Sequence, residues 1–205
     1  MAETSPEGSK DPAAESRTWI SEIRSQTAAL DQAISAAVDS TRTPHLDAFL
    51  VRLSEAANGS RIWLLTAAAV ALLGGRRGRR AAVEAVASIG LASAASNLVL
   101  KSLAPRRRPP GAEGQGVPSR RVRRPVTPSF PSGHAASAFA FASAMGEEMP
   151  PTWVPLHITA ALVAYSRVHT GVHYPSDVMA GALLGAMSGW MTRRLAARLS
   201  PRPRW

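Results

Sequence analysis

Five apolar runs separated by short polar connections occupy most of the chain from residue 62 to residue 192. The runs are 62–75, 81–100, 131–146, 153–166 and 178–192. A membrane-spanning helix needs about 20 mostly apolar residues, and only the second run reaches that length without flanking residues. Small residues are frequent in the runs, which in lipid favours close helix packing, and Gly181, Gly185 and Gly189 form a four-residue ladder of this kind. The runs therefore predict an all-α, integral membrane helical bundle with about five spans. Because the shorter runs would also suit buried core helices, a compact soluble helical bundle stays open as the alternative.

The segment before the runs has a different character. Residues 1–15, "MAETSPEGSKDPAAE", are rich in Pro, Gly, Ser and acidic residues, which predicts a disordered tail. Residues 16–58 predict an amphipathic helical region, because apolar residues recur there at three- and four-residue steps. The first stripe consists of Ile20, Ile23, Thr27, Leu30, Ile34 and Ala37, and "HLDAFLVRLSEA" (45–56) is a second amphipathic piece. The stripe has two interpretations: a helix at the membrane interface or packed on the protein, or a coiled coil that forms a homo-oligomer.

The connections between the runs predict how the helices follow one another. "RRGRR" (76–80) predicts a tight basic turn that folds the first two runs into a hairpin, and "EEMPPT" (147–152) predicts a second short turn. The connection 101–130 is rich in Arg, Pro and Gly and cannot form a regular helix. We therefore expect a membrane core over residues 59–195, followed by a basic C-terminal tail over 196–205.

The net charge of the chain indicates which class of partner it binds. Lys and Arg number 24 against 14 Asp and Glu, so the net charge is +10, which favours an anionic partner. We expect Arg106, Arg107 and "RRVRR" (120–124) to be solvated charge attracted to anionic membrane headgroups, the alternative being direct contact with a substrate. Glu84 follows Arg80 by four residues, which predicts an ion pair between them. The chain has no cysteine, so disulfides, zinc–thiolate sites and a cysteine nucleophile are excluded.

Polar, titratable residues gather where the runs begin and end. Lys101 and Arg108 follow the second run, "PSGH" (131–134) opens the third, and "SRVHTGVHYPSD" (166–177) joins the fourth to the fifth. If successive runs alternate in direction, all of these residues reach the same face of the membrane. Ionisable residues at such a depth are costly and indicate a functional site.

The residue types in these clusters are suited to binding a phosphate group. Three cations, Lys101, Arg108 and Arg167, converge and would repel one another without an anion between them. Ser132 and Gly133 stand at the start of a helix, where a hydroxyl, free backbone N–H groups and the helix dipole also favour an anion. The clusters therefore predict a phosphate-binding site.

The histidines add proton and nucleophile chemistry. Asp177 follows His173 by four residues, and a carboxylate that accepts the Nδ1 proton of a histidine leaves its Nε2 basic. An imidazole oriented in this way can attack a bound phosphoryl group, and a second histidine, His134, can protonate the leaving oxygen. The set predicts phosphoryl transfer through a phosphohistidine, with no metal and no other cofactor.

The three clusters resemble the motifs of the type 2 phosphatidic acid phosphatase superfamily, which shares its site with the vanadium haloperoxidases. The family pattern appears as "KSLAPRRRP" (101–109), "PSGH" (131–134) and "SRVHTGVHYPSD" (166–177), in the family's order and spacing. The resemblance covers about residues 60–190. Within the family, the chain is similar to small actinobacterial members that act on polyprenyl-linked phosphates.

The resemblance implies a multi-pass protein of the cell membrane that hydrolyses a phosphate monoester or diphosphate carried by a polyprenyl lipid or a phospholipid. It implies that phosphate is bound by Lys101, Arg108 and Arg167, with help from Ser132 and Gly133. It also implies that His134 is the general acid, His173 the nucleophile and Asp177 its orienting partner. His169 stands where the family leads us to expect an aromatic residue, and we expect it to be structural rather than catalytic.

Two other functions remain open at the level of sequence. The four-residue steps of His169, His173 and Asp177 would suit a metal-dependent membrane hydrolase, although Gly171 and Pro175 argue against one continuous helix there. The positive charge would also suit a non-enzymatic cationic membrane-binding protein. We expect no nucleic acid partner, because the aromatic residues number only eleven and form no visible stacking platform.

Overall fold

The computed structural model of the chain describes residues 12–100, 105–110, 117–123 and 126–199. Within these ranges every regular element is helical, so the all-α prediction is confirmed. The α-helices are α1 (Pro12–Ser40), α2 (Pro44–Ala56), α3 (Arg61–Leu73), α4 (Gly75–Ala94), α5 (Gly133–Glu148), α6 (Trp153–His169) and α7 (Pro175–Leu199). A π-helical segment, Ala95–Leu100, continues α4. Short 3-10 turns lie at Asn58–Ser60, Pro118–Arg120 and Pro150–Thr152.

Helix α5 is the centre of the bundle, and it packs against α4, α6 and α7. Its sequence, "GHAASAFAFASAMGEE", carries alanines on every face, and six of them, at 135, 136, 138, 140, 142 and 144, are fully buried. Small side chains on all sides of α5 let α4, α6 and α7 pack close to its axis, as the frequent small residues of the runs predict. Phe141 and Met145 fill the remaining space, and Phe141 packs on Trp63 of α3 with ring centroids 5.3 Å apart.

The glycine ladder of α7 lies directly against α5. A Cβ atom built on Gly181 would stand 2.4 Å from the Ser132 carbonyl oxygen, and one on Gly185 would stand 2.2 Å from that of Ala136. At Gly189 the corresponding distance to the Ala140 oxygen is 2.8 Å. These separations leave no room for any side chain. The ladder therefore sets how closely α7 approaches α5, and with it the position of the residues at the start of α7.

The hairpin of the first two runs forms, but its turn lies earlier than predicted. Helix α3 ends at Leu73 and α4 begins at Gly75, so "RRGRR" forms the first turns of α4 instead of the connection. The turn is made by the two preceding glycines. Gly75 has φ +60, a conformation that L side chains rarely adopt. A Cβ on Gly78 would stand 2.3 Å from the Val70 oxygen, so this glycine lets α4 pack closely on α3.

By length and hydropathy, one helix in the described chain qualifies as a membrane span. It is α4 with its continuation, Gly75–Leu98, which has 24 residues and a mean hydropathy of 1.3. Residues Pro44–Ala56 and Asn58–Leu73 qualify together as a second span that is bent by 62°. A core helix of a soluble protein passes the same test. The five spans expected from the runs therefore stay a prediction.

Helix α1 turns its apolar stripe away from the rest of the chain. Ile20, Ile23, Leu30 and Ile34 are all exposed, whereas Asp31 is buried against the protein. The stripe does not pack on the described residues of this chain, which favours the membrane interface or a second copy as its partner. The helix begins at Pro12, within the predicted tail, and residues 1–11 lie outside the described residues.

At the opposite end of α5 from "PSGH", a buried charge cluster joins three helices. Arg193 of α7 contacts Glu84 of α4 and lies 2.7 Å from a carboxylate oxygen of Glu148 on α5. The predicted pair of Arg80 with Glu84 forms at 2.8 Å. Helix α7 continues through residues 196–199 of the predicted tail, and residues 200–205 lie outside the described residues.

Candidate active site

The predicted site residues that the structure describes meet at one end of the bundle. Ser132 immediately precedes α5, Arg167 lies in the last turn of α6, and Asp177 lies in the first turn of α7. The Ser132 N–H donates to the Asp177 carbonyl oxygen at 2.9 Å, which joins the starts of α5 and α7 directly. His173 lies in the loop between α6 and α7, and its N–H donates to the Arg167 carbonyl oxygen at 3.1 Å. The alternation of helix direction therefore brings Ser132, Arg167, His173 and Asp177 to the same end of the bundle.

The ring of His173 lies between a cation and a carboxylate. Its Nε2 is 3.2 Å from Nη1 of Arg108, and its Nδ1 is 3.6 Å from Oδ2 of Asp177. An arginine nitrogen can only donate, so Nε2 must be the unprotonated nitrogen of the ring. The proton of the neutral ring is then on Nδ1, on the side of Asp177. The lone pair that can act as a nucleophile points toward the arginine.

The surroundings of His173 keep it neutral. The side chain is only 3 % exposed. Burial, with the nearby charges of Arg108 and Arg167 adding to it, lowers the pKa of His173 from 6.5 to about 4, although Asp177 opposes the shift. A neutral imidazole is the form that carries a free lone pair, so the ring is in its nucleophilic form at neutral pH.

Asp177 is fully buried and is held by two donors. Its Oδ1 accepts from Nη1 of Arg106 at 2.9 Å, and its Oδ2, the oxygen nearer to His173, accepts from the Tyr174 N–H at 2.9 Å. Arg106 also stacks over the Tyr174 ring, 4.3 Å from its centroid. Arg106 was expected to be a solvated charge; instead, it is a partner of the orienting carboxylate.

The predicted phosphate ligands that the structure describes include two buried polar atoms without a hydrogen-bond partner among the described residues. Arg108 is anchored by the carbonyl oxygens of Val172 at 2.7 Å and Thr127 at 3.0 Å. Arg167 is almost completely buried and donates through Nη1 to Oγ of Ser54, while its Nε has no partner in the described part of the chain. The buried Oγ of Ser132 also has none, and a Cβ on Gly133 would meet no atom within 4 Å. Lys101, the third predicted cation, lies outside the described residues.

His134 occupies the first turn of α5 and is oriented by a residue that the motifs do not contain. Its Nε2 lies 2.9 Å from Oδ1 of Asn58, in the 3-10 turn between α2 and α3. The amide oxygen accepts, so Nε2 carries a proton in this arrangement. The contact fixes the orientation of the His134 ring, whose imidazolium form can act as an acid.

His169 belongs to a separate buried network. Its Nε2 lies 2.8 Å from Oδ1 of Asp47 on α2, which also accepts from Nε of Arg120 at 2.9 Å. Arg120 donates through its other nitrogens to the carbonyl oxygens of Val38 and Thr41, each at 2.7 Å. The expectation that Arg120 is solvated is therefore wrong: the residue is 2 % exposed and links the loop to the end of α1.

The metal-site alternative does not fit this geometry. The steps from His169 to Asp177 would need one helix to form a common face, but α6 ends at His169 and α7 begins at Pro175. The contact with Asp47 also takes Nε2 of His169 away from the other two residues.

The described site residues place His173 between Arg108 and Asp177, with the buried charge of Arg167 acting on the same ring and His134 in the first turn of α5. The family model described as the PAP2 superfamily matches residues 81–201. The chain therefore belongs to the PAP2 superfamily, as the motifs predicted.

Two curated relatives are similar over the motif region. The undecaprenyl-diphosphatase of Sulfolobus acidocaldarius is 45% identical over 62 residues, which cover 30% of each chain. The decaprenylphosphoryl-5-phosphoribose phosphatase of Mycobacterium tuberculosis is 45% identical over 64 residues, 31% of this chain and 34% of that protein. The matches thus span about a third of the length of these curated relatives.

Two solved structures share the fold over most of the chain. The transmembrane PAP2 type phosphatidylglycerolphosphate phosphatase of Bacillus subtilis superposes with a TM-score of 0.66 at 20% identity, over 86% of this chain and 89% of that one. LpxE of Aquifex aeolicus superposes with a TM-score of 0.64 at 26% identity, over 80% and 95%. The fold of the described chain is therefore that of the membrane PAP2 phosphatases.

Proposed function

We propose that the protein is a metal-independent phosphatase of the cell membrane that hydrolyses a lipid-linked phosphate monoester or diphosphate through a phosphohistidine. The observation that carries this proposal is the orientation of His173. Its unprotonated Nε2 faces the cation Arg108, and its Nδ1 faces the buried carboxylate of Asp177. A nucleophile aimed into an anion site is the arrangement that direct attack on phosphorus requires.

The first step transfers the phosphoryl group to the enzyme. Nε2 of His173 attacks phosphorus while the bond from phosphorus to the lipid oxygen breaks, and His134 gives that oxygen its proton. Arg108, Arg167 and Lys101 carry the positive charge that stabilises the phosphoryl oxygens in the transition state. Asp177 stabilises the positive charge that develops on the imidazole ring.

The second step releases phosphate. His134, now without its proton, accepts one from a water molecule as the water oxygen attacks phosphorus. The bond between phosphorus and Nε2 breaks, and the lone pair returns to the ring. His173 and His134 are then in their starting protonation states, and the products are the dephosphorylated lipid and inorganic phosphate.

The lipid nature of the substrate is supported by the fold and by the relatives. The related proteins act on undecaprenyl diphosphate and on decaprenylphosphoryl-5-phosphoribose, as their names state. A polyprenyl-linked phosphate is therefore our first candidate for the substrate, and a phospholipid is the second. We also propose that the chain crosses the membrane several times, because apolar side chains such as Leu65, Leu72 and Leu73 are highly exposed on the bundle surface.

The proposal is tested with purified protein in detergent and an excess of chelator. Phosphate release is measured from a panel of polyprenyl phosphates, polyprenyl diphosphates, phosphatidic acid and phosphatidylglycerophosphate. We expect release from at least one lipid, its loss in His173→Ala, and its retention in His45→Ala, which alters an exposed histidine on α2. Release that stops in chelator and returns with a divalent metal would contradict the mechanism. Recovery of the protein in the supernatant of a detergent-free lysate would contradict the membrane location.

A further inference from the structure

Helix α1, which carries none of the three motifs, has one buried carboxylate that reaches the active site. Asp31 is 2 % exposed, and the described hydrogen bonds of its carboxylate go to residues beyond its own helix. Its Oδ2 accepts from Nη2 of Arg106 at 2.7 Å and from Oγ of Ser176 at 2.5 Å. Its Oδ1 accepts from the Ser176 N–H at 2.9 Å, one of the free N–H groups at the start of α7. Asp31 thus connects α1 to the residue next to Asp177.

Arg106 places one positive charge between two buried carboxylates. Its Nη2 donates to Asp31, and its Nη1 donates to Oδ1 of Asp177 at 2.9 Å. Burial opposes the charge of Arg106, but the hydrogen bonds and negative charges of Asp31 and Asp177 outweigh it and raise the pKa of this residue. The guanidinium therefore stays charged, and its charge is shared by the two carboxylates.

This sharing matters because Asp177 has to act on His173. The described groups that face the Asp177 carboxylate are His173, Arg106 and the Tyr174 N–H, while Arg108 and Arg167 act on His173 from its other side. If Asp177 were the only carboxylate beside Arg106, the arginine would cancel more of the Asp177 charge. Asp177 would then attract the positive imidazole of His173 less strongly. The second carboxylate offsets the arginine charge and leaves more of the Asp177 charge available to His173.

We propose that Asp31 is a positioning residue for the phosphatase reaction: it takes up part of the charge of Arg106 and thereby maintains the support that Asp177 gives to His173. The inference rests on the proposed function, in which His173 becomes positively charged as it attacks phosphorus. It assigns a role in the reaction to α1, which otherwise presents an apolar stripe to its surroundings. A purely structural Asp31 would hold α1 on α7 without any influence on the charge at His173.

The test is a double-mutant cycle on the full chain in detergent, with Asp31→Asn, Arg106→Gln and the two combined. Asp39→Asn is the matched control, because it removes the same charge from an exposed position on the same helix. We expect Asp31→Asn to lower kcat about tenfold with little change in KM, a coupling of ordinary size for residues in one network. We expect Arg106→Gln to remove this sensitivity, so that adding Asp31→Asn to Arg106→Gln changes kcat less than twofold. We expect Asp39→Asn to match the wild type.

The outcomes distinguish a positioning role of Asp31 in the reaction from a purely structural role. A tenfold loss that is additive over Arg106→Gln, or an Asp31→Asn enzyme with the kcat of the Asp39→Asn enzyme, would overturn the inference. If Asp31→Asn does not fold, comparing the kcat of Arg106→Gln with that of the double variant still decides the question, because charge sharing requires the two values to agree within twofold.

The same cycle can be followed without turnover. In protein labelled with ¹⁵N-histidine, Asp31→Asn should lower the pKa of His173, and Asp39→Asn should not. An unchanged His173 pKa in Asp31→Asn would overturn the charge sharing. A wild-type protein that releases no phosphate would overturn the proposed function, while the titration would still decide whether Asp31 acts on His173.

Discussion

Replacing Asp177 by Asn should slow phosphoryl transfer to His173 by roughly a thousandfold while the fold is retained. Attack on phosphorus gives the imidazole a positive charge, and Oδ2 of Asp177 lies 3.6 Å from Nδ1. Two unit charges at that distance attract with about 4.6 kcal/mol at an effective dielectric constant of about 20. Because Arg106 offsets part of the carboxylate charge, we take about 4 kcal/mol as the loss, which corresponds to a rate about 10³-fold lower.

The hydrogen bonds around Asp177 explain why Asn cannot replace it. Both carboxylate oxygens accept, one from Arg106 and one from the Tyr174 N–H. The amide of Asn offers one acceptor and one donor, so its NH₂ group must face a donor or turn away from it. The ring of His173 then loses the nearby negative charge that favours a proton on Nδ1.

The assay is a single-turnover reaction with lipid carrying radiolabelled phosphate, stopped by rapid quench. Asp39→Asn serves as the control for loss of an aspartate charge, and the melting temperature in detergent reports the fold. A rate for Asp177→Asn within tenfold of the wild type, in a folded protein, would refute the view that this carboxylate supports His173.

Three further predictions concern the other parts of the site and its scaffold. In single-turnover reactions His134→Ala should slow phosphoryl transfer to His173 10²–10⁴-fold for a lipid alkoxide leaving group but much less for p-nitrophenyl phosphate, and equal losses for both substrates would exclude His134 as the acid. Gly185→Ala should destabilise the bundle and lower its melting temperature, whereas Gly90→Ala, at a position open around its Cβ, should not. The pKa of His173 is about 4 in the folded protein and 6.5 in the unfolded chain, so between these pH values only the unfolded chain binds the proton. The free energy of unfolding should therefore fall as the pH drops from 6.5 to 4, by up to about 3 kcal/mol. That dependence should be weaker in His173→Gln, and an equal slope in both proteins would show that the lowered pKa is wrong.

Much of the site followed from motif spacing, because the predicted residues lie at helix ends. Once the apolar runs are taken as alternating helices, Ser132, Arg167 and Asp177 must reach the same end of the bundle. The chemistry of His173 followed in the same way, from a carboxylate four residues later. The spacing of residues along the sequence was enough for these predictions.

The residues that the sequence did not predict depend on how distant elements dock. Asn58 orients His134 only because the chain bends between α2 and α3, and its "NGS" turn was the one local signal at that point. Asp31 lies at the edge of the apolar stripe of α1, directly after Leu30, where a lone carboxylate resembles any solvated residue. Its partner stands 75 positions later.

The arginines of the long connection show the same difficulty. A run of arginines in a sequence rich in Pro and Gly predicts solvated charge, because no pattern along the chain indicates a buried partner. Arg120 is buried by Asp47 and by carbonyl oxygens at the end of α1, and Arg106 is held by two carboxylates from different helices. These acceptors become visible only when α1 and α2 are placed against the loop.

The central claim is that Nε2 of His173 forms a covalent bond to phosphorus, and trapping that intermediate tests it most directly. His134→Ala should still be phosphorylated by radiolabelled p-nitrophenyl phosphate, whose leaving group needs little protonation, but should hydrolyse the intermediate slowly without its base. Rapid quench and peptide mapping should then find acid-labile phosphate on His173, in an amount equal to the initial burst of p-nitrophenol. Label on a different residue, or a burst of p-nitrophenol without labelled protein, would contradict the account.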